Sequence, residues 1–218
     1  MSTEAVVFDL DGVILESEEI WDDVRERYVR ERGGRYDAEA QRAMMGMSST
    51  EWSRFIHEQL GVEATPAEIN ADVVALMIAR YRAELPLVPG AQEAVGRIRA
   101  VFPLAIASSS NRPLIAAALE LAGLTEYFLA TVSSEEVARG KPAPDVYLEA
   151  ARRLGVDPER CAAIEDSHSG IASAKAAGMF LVAIPNPHYP PDEDALAVAD
   201  VVLTSIRELA PDMILAHG

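Results

Sequence analysis

The run Ala5-Val6-Val7-Phe8 constrains the fold of this chain more than any other stretch. Four apolar residues in succession, without polar alternation, read as a strand covered on both faces, as in a parallel sheet packed between helices. From Leu87 onward the chain alternates helical patterns with further short apolar runs. Strands are predicted at 104–107, 129–132, 162–164, 180–184 and 201–203. Gly123, Gly155 and Gly178 stand where helix carboxyl ends call for a left-handed residue. Strands alternating with helices imply an α/β fold with a doubly wound parallel sheet.

The first strand joins that sheet only if the segment after it is an insertion. Between Ser17 and about Leu85 the pattern is helical throughout: Trp21, Val24 and Tyr28 share one stripe, and Trp52, Phe55, Ile56 and Leu60 another, with Trp52 expected in the core. Ser48 with Glu51 and Thr65 with Glu68 form capping boxes, the second with Pro66 at the first helical position. The expected division is a catalytic core of residues 1–15 and 87–218 and a cap of residues 16–86, built of about four helices and standing above the strand ends. The stretch Asn186 to Asp194, rich in proline and acid, reads as a surface loop.

Composition excludes several functions. A formal charge of −16 over 218 residues opposes nucleic acid and anionic membrane, so the expected partner is a small molecule. The lone Cys161 lies in an apolar run, reads as a core residue and rules out an internal disulfide. No apolar run approaches a membrane span, and the amino terminus lacks a basic region. The expectation is a cytoplasmic protein, monomeric or dimeric.

Four clusters carry chemistry. Asp9-Leu10-Asp11-Gly12-Val13 places two acids at the end of the first strand, where ligands of open α/β sheets bind. Ser108-Ser109-Ser110-Asn111 follows the next strand; its hydroxyls and the N–H groups opening a helix can hold an anion or simply cap that helix. In Gly140-Lys141-Pro142-Ala143-Pro144, two prolines fix the backbone around a single cation. Glu165-Asp166 is a second acidic pair at a strand end, and with the first pair it would make an oxygen-rich site for Mg²⁺. His168, on the same loop, has no partner histidine and reads as solvated or structural. Two acidic pairs, a hydroxyl and a cation, each at a strand end or a helix start, are more than four unrelated turns would supply.

In this order the clusters resemble the motifs of the haloacid dehalogenase superfamily, in its branch of phosphatases and phosphomutases with a helical cap inserted after the first motif. The resemblance covers nearly the whole chain. It implies a Rossmann-like core under a mobile cap and Mg²⁺-dependent hydrolysis of a phosphate monoester through an aspartyl-phosphate. Asp9 would be the nucleophile and Asp11 the acid and base. Ser108, Ser109 and Lys141 would bind the phosphoryl oxygens, while Asp9, the Asp11 carbonyl and Asp166 would hold the metal, with Glu165 assisting directly or through water. From their place in the cap, Glu16, Trp21, Gly46, Met47, Ser48 and Ser49 would contact the substrate.

Asp11 separates this chain from the family's dehalogenases, which replace that residue. A β-phosphoglucomutase-like phosphomutase is the alternative, but those enzymes carry a histidine where Trp21 stands and an arginine where Ser49 stands. Without that arginine the cap suits a neutral leaving group, a sugar or polyol. A non-enzymatic reading is a phosphoacceptor switch or inactive binding module; receiver-type switches share acids and a lysine at strand ends but are shorter and lack the insert.

Overall fold

Every residue of the first strand, β1 (Ala5–Phe8), is buried, because it lies inside the sheet. The computed structural model describes residues 2–45 and 47–215. Among the described residues the other strands are β2 (Leu104–Ser108), β3 (Phe128–Ser133), β4 (Cys161–Glu165), β5 (Phe180–Ala183) and β6 (Val201–Val202). They form one sheet of order β3-β2-β1-β4-β5-β6, and all its pairings are parallel. The fold is α/β and Rossmann-like, as expected. β2 and β3 run one residue or more beyond the apolar stretches because Ser108 and Ser133 pair within the ladder, where backbone bonds do not depend on side-chain polarity.

Four helices follow β1: α1 (Glu18–Glu31), α2 (Ala38–Met44), α3 (Ser49–Gln59) and α4 (Pro66–Ala83). The rest of the chain carries α5 (Ala91–Arg99), α6 (Arg112–Leu121), α7 (Asp145–Leu154), α8 (His168–Ala176), α9 (Glu193–Ala197) and α10 (Pro211–Leu215). Alternate residues of β1 serve opposite layers. Val6 and Phe8 join the cluster that includes Ile98, Leu114 and Ile115, while Ala5 and Val7 face Val146, Tyr147 and Ile171. The glycines at 123, 155 and 178 all carry positive φ, at 65°, 72° and 79°.

The insert leaves and rejoins the sheet through two adjoining segments. Leu15 pairs with Leu87 in an antiparallel bridge, the Glu16 N–H donates to the Pro86 carbonyl at 2.7 Å, and the Val88 N–H to the Ile14 carbonyl at 2.9 Å. Trp52, Tyr28, Tyr81 and Met77 are fully buried in the insert, each contributing roughly 1.5–3 kcal/mol. Both expected capping boxes form at the starts of α3 and α4. No helix among the described residues is long and apolar enough to cross a membrane.

Candidate active site

Phe8 lies level with Ile106 of β2 and Ile164 of β4. Three parallel strands therefore run out at one rim, and the residues at their ends emerge together: Asp9, Ser108 and the pair Glu165-Asp166. The Asp9 N–H still donates to the Ile164 carbonyl at 3.0 Å. Strand order reverses between β1 and β4, the place where a crevice opens in sheets of this topology.

Asp9, Glu165 and Asp166 are 5%, 0% and 3% exposed, and each offers a carboxylate oxygen within 4.8 Å of the others. Lys141 reaches this cluster from the loop before α7. Its Nζ donates at 2.6 Å both to Asp9 Oδ1 and to Glu165 Oε1. Burial works against a charged lysine, but Asp9 and Glu165 outweigh it and hold the ammonium above its usual range. Burial pushes Asp9 up to about 8, against the pull of Lys141 and with the push of Glu165 and Asp11. Asp166 is raised by burial first, then by Glu165 and Asp9.

Ionised together, three carboxylates against one ammonium leave two negative charges unbalanced, the deficit that a divalent cation neutralises. Asp166 Oδ1 is buried and accepts no hydrogen bond, which is rare for a buried polar atom. The donors are all carboxylate oxygens, so the site fits a hard ion such as Mg²⁺. Glu165 is otherwise engaged: Tyr147 Oη donates to its Oε1 at 2.8 Å, and the N–H groups of Asp166 and Ser167 donate to its Oε2 at 2.9 and 3.2 Å. It supplies charge and holds Lys141 in place. A β-carbon on Gly12 would fall 1.9 Å from Asp166 Oδ2, and Gly12 has a φ of +89°. Only glycine lets the chain turn this close to the acid.

Asp11 stands apart from the acid cluster. Ser17 Oγ donates to its Oδ1 at 2.6 Å and Ser110 Oγ to its Oδ2 at 2.7 Å, with longer bonds of 3.4 Å from Trp21 Nε1 and Ser108 Oγ. Ser17 and Trp21 approach from the insert side and the serines from the β2 end, so the carboxylate bridges the two. A cavity of about 410 Å³ opens over Asp9, Asp11, Ser109, Lys141 and Asp166.

Residues 3–178 match the model of the haloacid dehalogenase-like hydrolases. The chain belongs to this family. It is therefore an enzyme, a hydrolase. It is 31% identical over 210 residues to hexitol phosphatase B of Escherichia coli strain K12, covering 94% of this chain and 93% of that one. It is also 31% identical over 209 residues to the bifunctional riboflavin kinase/FMN phosphatase of Arabidopsis thaliana, but there 95% of this chain spans only 54% of the relative. The crystal structure of CbbY from Rhodobacter sphaeroides in complex with phosphate superposes with a TM-score of 0.87 at 30% identity, covering 99% of this chain and all of that one.

The residues expected at the hydrolase's cap lip are spread over several places. Trp21 and Met47 line a small recess beside Asp11. Glu16 is exposed on a neighbouring groove with Pro89 and His188. Ser48 caps α3, its Oγ donating to Glu51 at 2.7 Å. Ser49 is fully buried and donates at 2.6 Å to Glu135 Oε1, which also accepts from Asn111 at 2.7 Å and Asn70 at 3.3 Å. Neither Ser48 nor Ser49 is among the residues lining the cavity over Asp9. Gly46 lies outside the described residues. His168 is exposed, with Nδ1 3.4 Å from Asp192 Oδ2.

Sequence reasoning missed three parts of this site. Glu18 and Met45 border the main cavity from the insert, and Tyr189, Pro190 and Pro191 of the 186–194 loop border it from the other side. That loop, read only as surface, forms a wall. Arg25, on the buried stripe of α1, lines the recess with Trp21. The signal available for Arg25 was a charged residue four positions after Trp21, at helical spacing on an apolar face.

Proposed function

We propose that this hydrolase is a Mg²⁺-dependent phosphatase that cleaves a small phosphate monoester, a sugar or polyol phosphate, through an aspartyl-phosphate on Asp9. The observation that carries the reading is the unbalanced charge of the Asp9, Glu165 and Asp166 cluster around Lys141, with a bare carboxylate oxygen on Asp166. Asp9, the Asp11 carbonyl and Asp166 would hold Mg²⁺, with Glu165 contributing charge. Bound there, the ion shields the repulsion between a carboxylate and a phosphate dianion.

In the first half-reaction an Asp9 oxygen bonds to phosphorus as the ester P–O bond breaks. Asp11 gives its proton to the departing alkoxide. In the second, Asp11 takes a proton from water as the water oxygen bonds to phosphorus, and Asp9 is released with inorganic phosphate. The Lys141 ammonium, the Ser108 hydroxyl and the N–H groups of the Ser109 loop face the phosphoryl oxygens as charge gathers on them. The helices of residues 16–86 act as a cap that closes over the substrate and keeps bulk water out. A buried free thiol at Cys161 suits a reducing cytoplasmic setting.

The test is a panel of phosphate monoesters with Mg²⁺, scored by phosphate release. Multiple turnovers on sugar or polyol phosphates support the reading; no turnover on any ester overturns it. Conversion of β-glucose 1-phosphate to glucose 6-phosphate in the presence of a bisphosphate primer would assign a mutase instead.

A further inference from the structure

Arg25 is a buried cation with no ion-pair partner among the described residues, although Glu18, Asp11 and Asp22 lie near enough to favour its charge. It is 8% exposed, yet among the described residues it makes no hydrogen bond or ion pair, and its Nε is buried with no acceptor. Its guanidinium carbon lies 4.5 Å from the Trp21 ring centroid and 5.2 Å from that of Trp52. Aromatic faces attract and orient such a cation, but they offer no lone pair to its N–H groups. Leaving a charged donor unpaired in a buried site is costly. The guanidinium borders a recess of about 60 Å³, shared with Asp11, Glu18, Trp21, Met47 and Ser109.

The recess adjoins Asp11, which under the proposed function protonates the leaving oxygen. Asp11, Glu18 and Ser109 line both the main cavity and this recess, so a leaving group held at Asp11 has the recess within reach. Glu18 borders the same recess and forms no ion pair with Arg25, so a gap separates donor from acceptor. A carboxylate or second phosphate placed there would accept from Arg25 but would face two acids, Asp11 and Glu18, as like charges. A hydroxyl meets both walls, accepting from the guanidinium and donating to Glu18. Burial and Asp11 push the Glu18 carboxyl up, while Arg25 draws it down.

We propose that Arg25, facing Glu18, reads a hydroxyl of the leaving group, so that polyhydroxylated alcohol phosphates are preferred over bisphosphates and phosphorylated acids. The proposal rests on the phosphatase reading above and names the group that sets its specificity. Arg25 acts by contact with the substrate and takes no proton.

The experiment compares sorbitol 6-phosphate with p-nitrophenyl phosphate, whose leaving group has no free hydroxyl, in the wild type, Arg25→Met and Arg25→Lys. The expected result is a fall of about 10- to 100-fold in kcat/KM for sorbitol 6-phosphate in Arg25→Met, the loss of one to two charged hydrogen bonds. Turnover of p-nitrophenyl phosphate should change by less than about threefold. Arg25→Lys, which keeps the charge but loses the fork, should fall between the two. If Arg25→Met does not fold, the same ratio is read from Arg25→Lys.

Equal losses on both substrates would assign Arg25 to packing and overturn the proposal. So would an unchanged sorbitol 6-phosphate rate, or a wild type that prefers a sugar bisphosphate. A wild type that cleaves neither ester would instead bring down the phosphatase reading itself.

Discussion

Asp9 is the residue on which the proposed chemistry turns. Asp9→Asn keeps the size of the side chain and removes its nucleophilic charge, so phosphate release should fall by at least about a thousandfold. Phosphorylated protein should vanish from intact-mass spectra of enzyme quenched during turnover. A variant within tenfold of wild type would rule out this nucleophile. Cys161 provides a second test at this scale. Burial, then Asp157 and Glu4, push its thiol up to about 12 from an ordinary value of 9.0. The unfolded thiol therefore ionises first, and this group favours unfolding as pH rises from 9 toward 12. Near pH 8 the native protein should react with iodoacetamide at least about a hundredfold more slowly than the unfolded chain. The placing of Asp9, Asp11, Lys141 and Asp166 around one cavity was legible because each is a charge just after an apolar run or directly before a proline. Arg25 was not: helical spacing places it on the buried stripe, but spacing cannot say that its guanidinium would lie against the Trp21 and Trp52 rings with no acceptor for its Nε.

Strands and helices were more legible than the loops between them. The continuous apolar runs set β1, β2 and β4, and parallel register then brings Asp9, Ser108 and Glu165 to one rim. Where the walls of the cavity come from was not legible, since Tyr189, Pro190 and Pro191 belong to a stretch whose composition is that of any exposed turn. Ser49 shows the same limit. Its position after a loop suggested substrate contact, whereas tertiary packing gives its hydroxyl to Glu135. Glu135 gathers donors from α3, α4 and the residue capping α6, and so ties the insert to the sheet. Glu135→Ala should raise KM severalfold and speed amide hydrogen exchange in the first turn of α3, with unfolding free energy lowered by less than about 3 kcal/mol. Unchanged exchange in α3 would show that Glu135 does not fasten the insert.

At the scale of the molecule, charge governs behaviour. The chain carries −16 overall, and two of those charges are forced together in the acid cluster beneath the cavity. A divalent cation bound there should stabilise the native state by about 2.7 kcal/mol at one hundred times its Kd. Thermal unfolding with and without millimolar Mg²⁺ measures this. Tm should rise with Mg²⁺ and return with EDTA, and phosphatase activity should follow. A Tm and activity indifferent to both would remove the metal from the site. That helices would separate β1 from the rest of its sheet was legible because a buried first strand demands partners that arrive only after residue 87. The pairing of Leu15 with Leu87 has a consequence for how such a chain can diversify. Since the two ends of the intervening segment lie side by side, one set of helices can be exchanged for another at one covalent junction. The machinery that breaks the phosphate ester could thus be inherited intact while the part that chooses the alcohol is replaced.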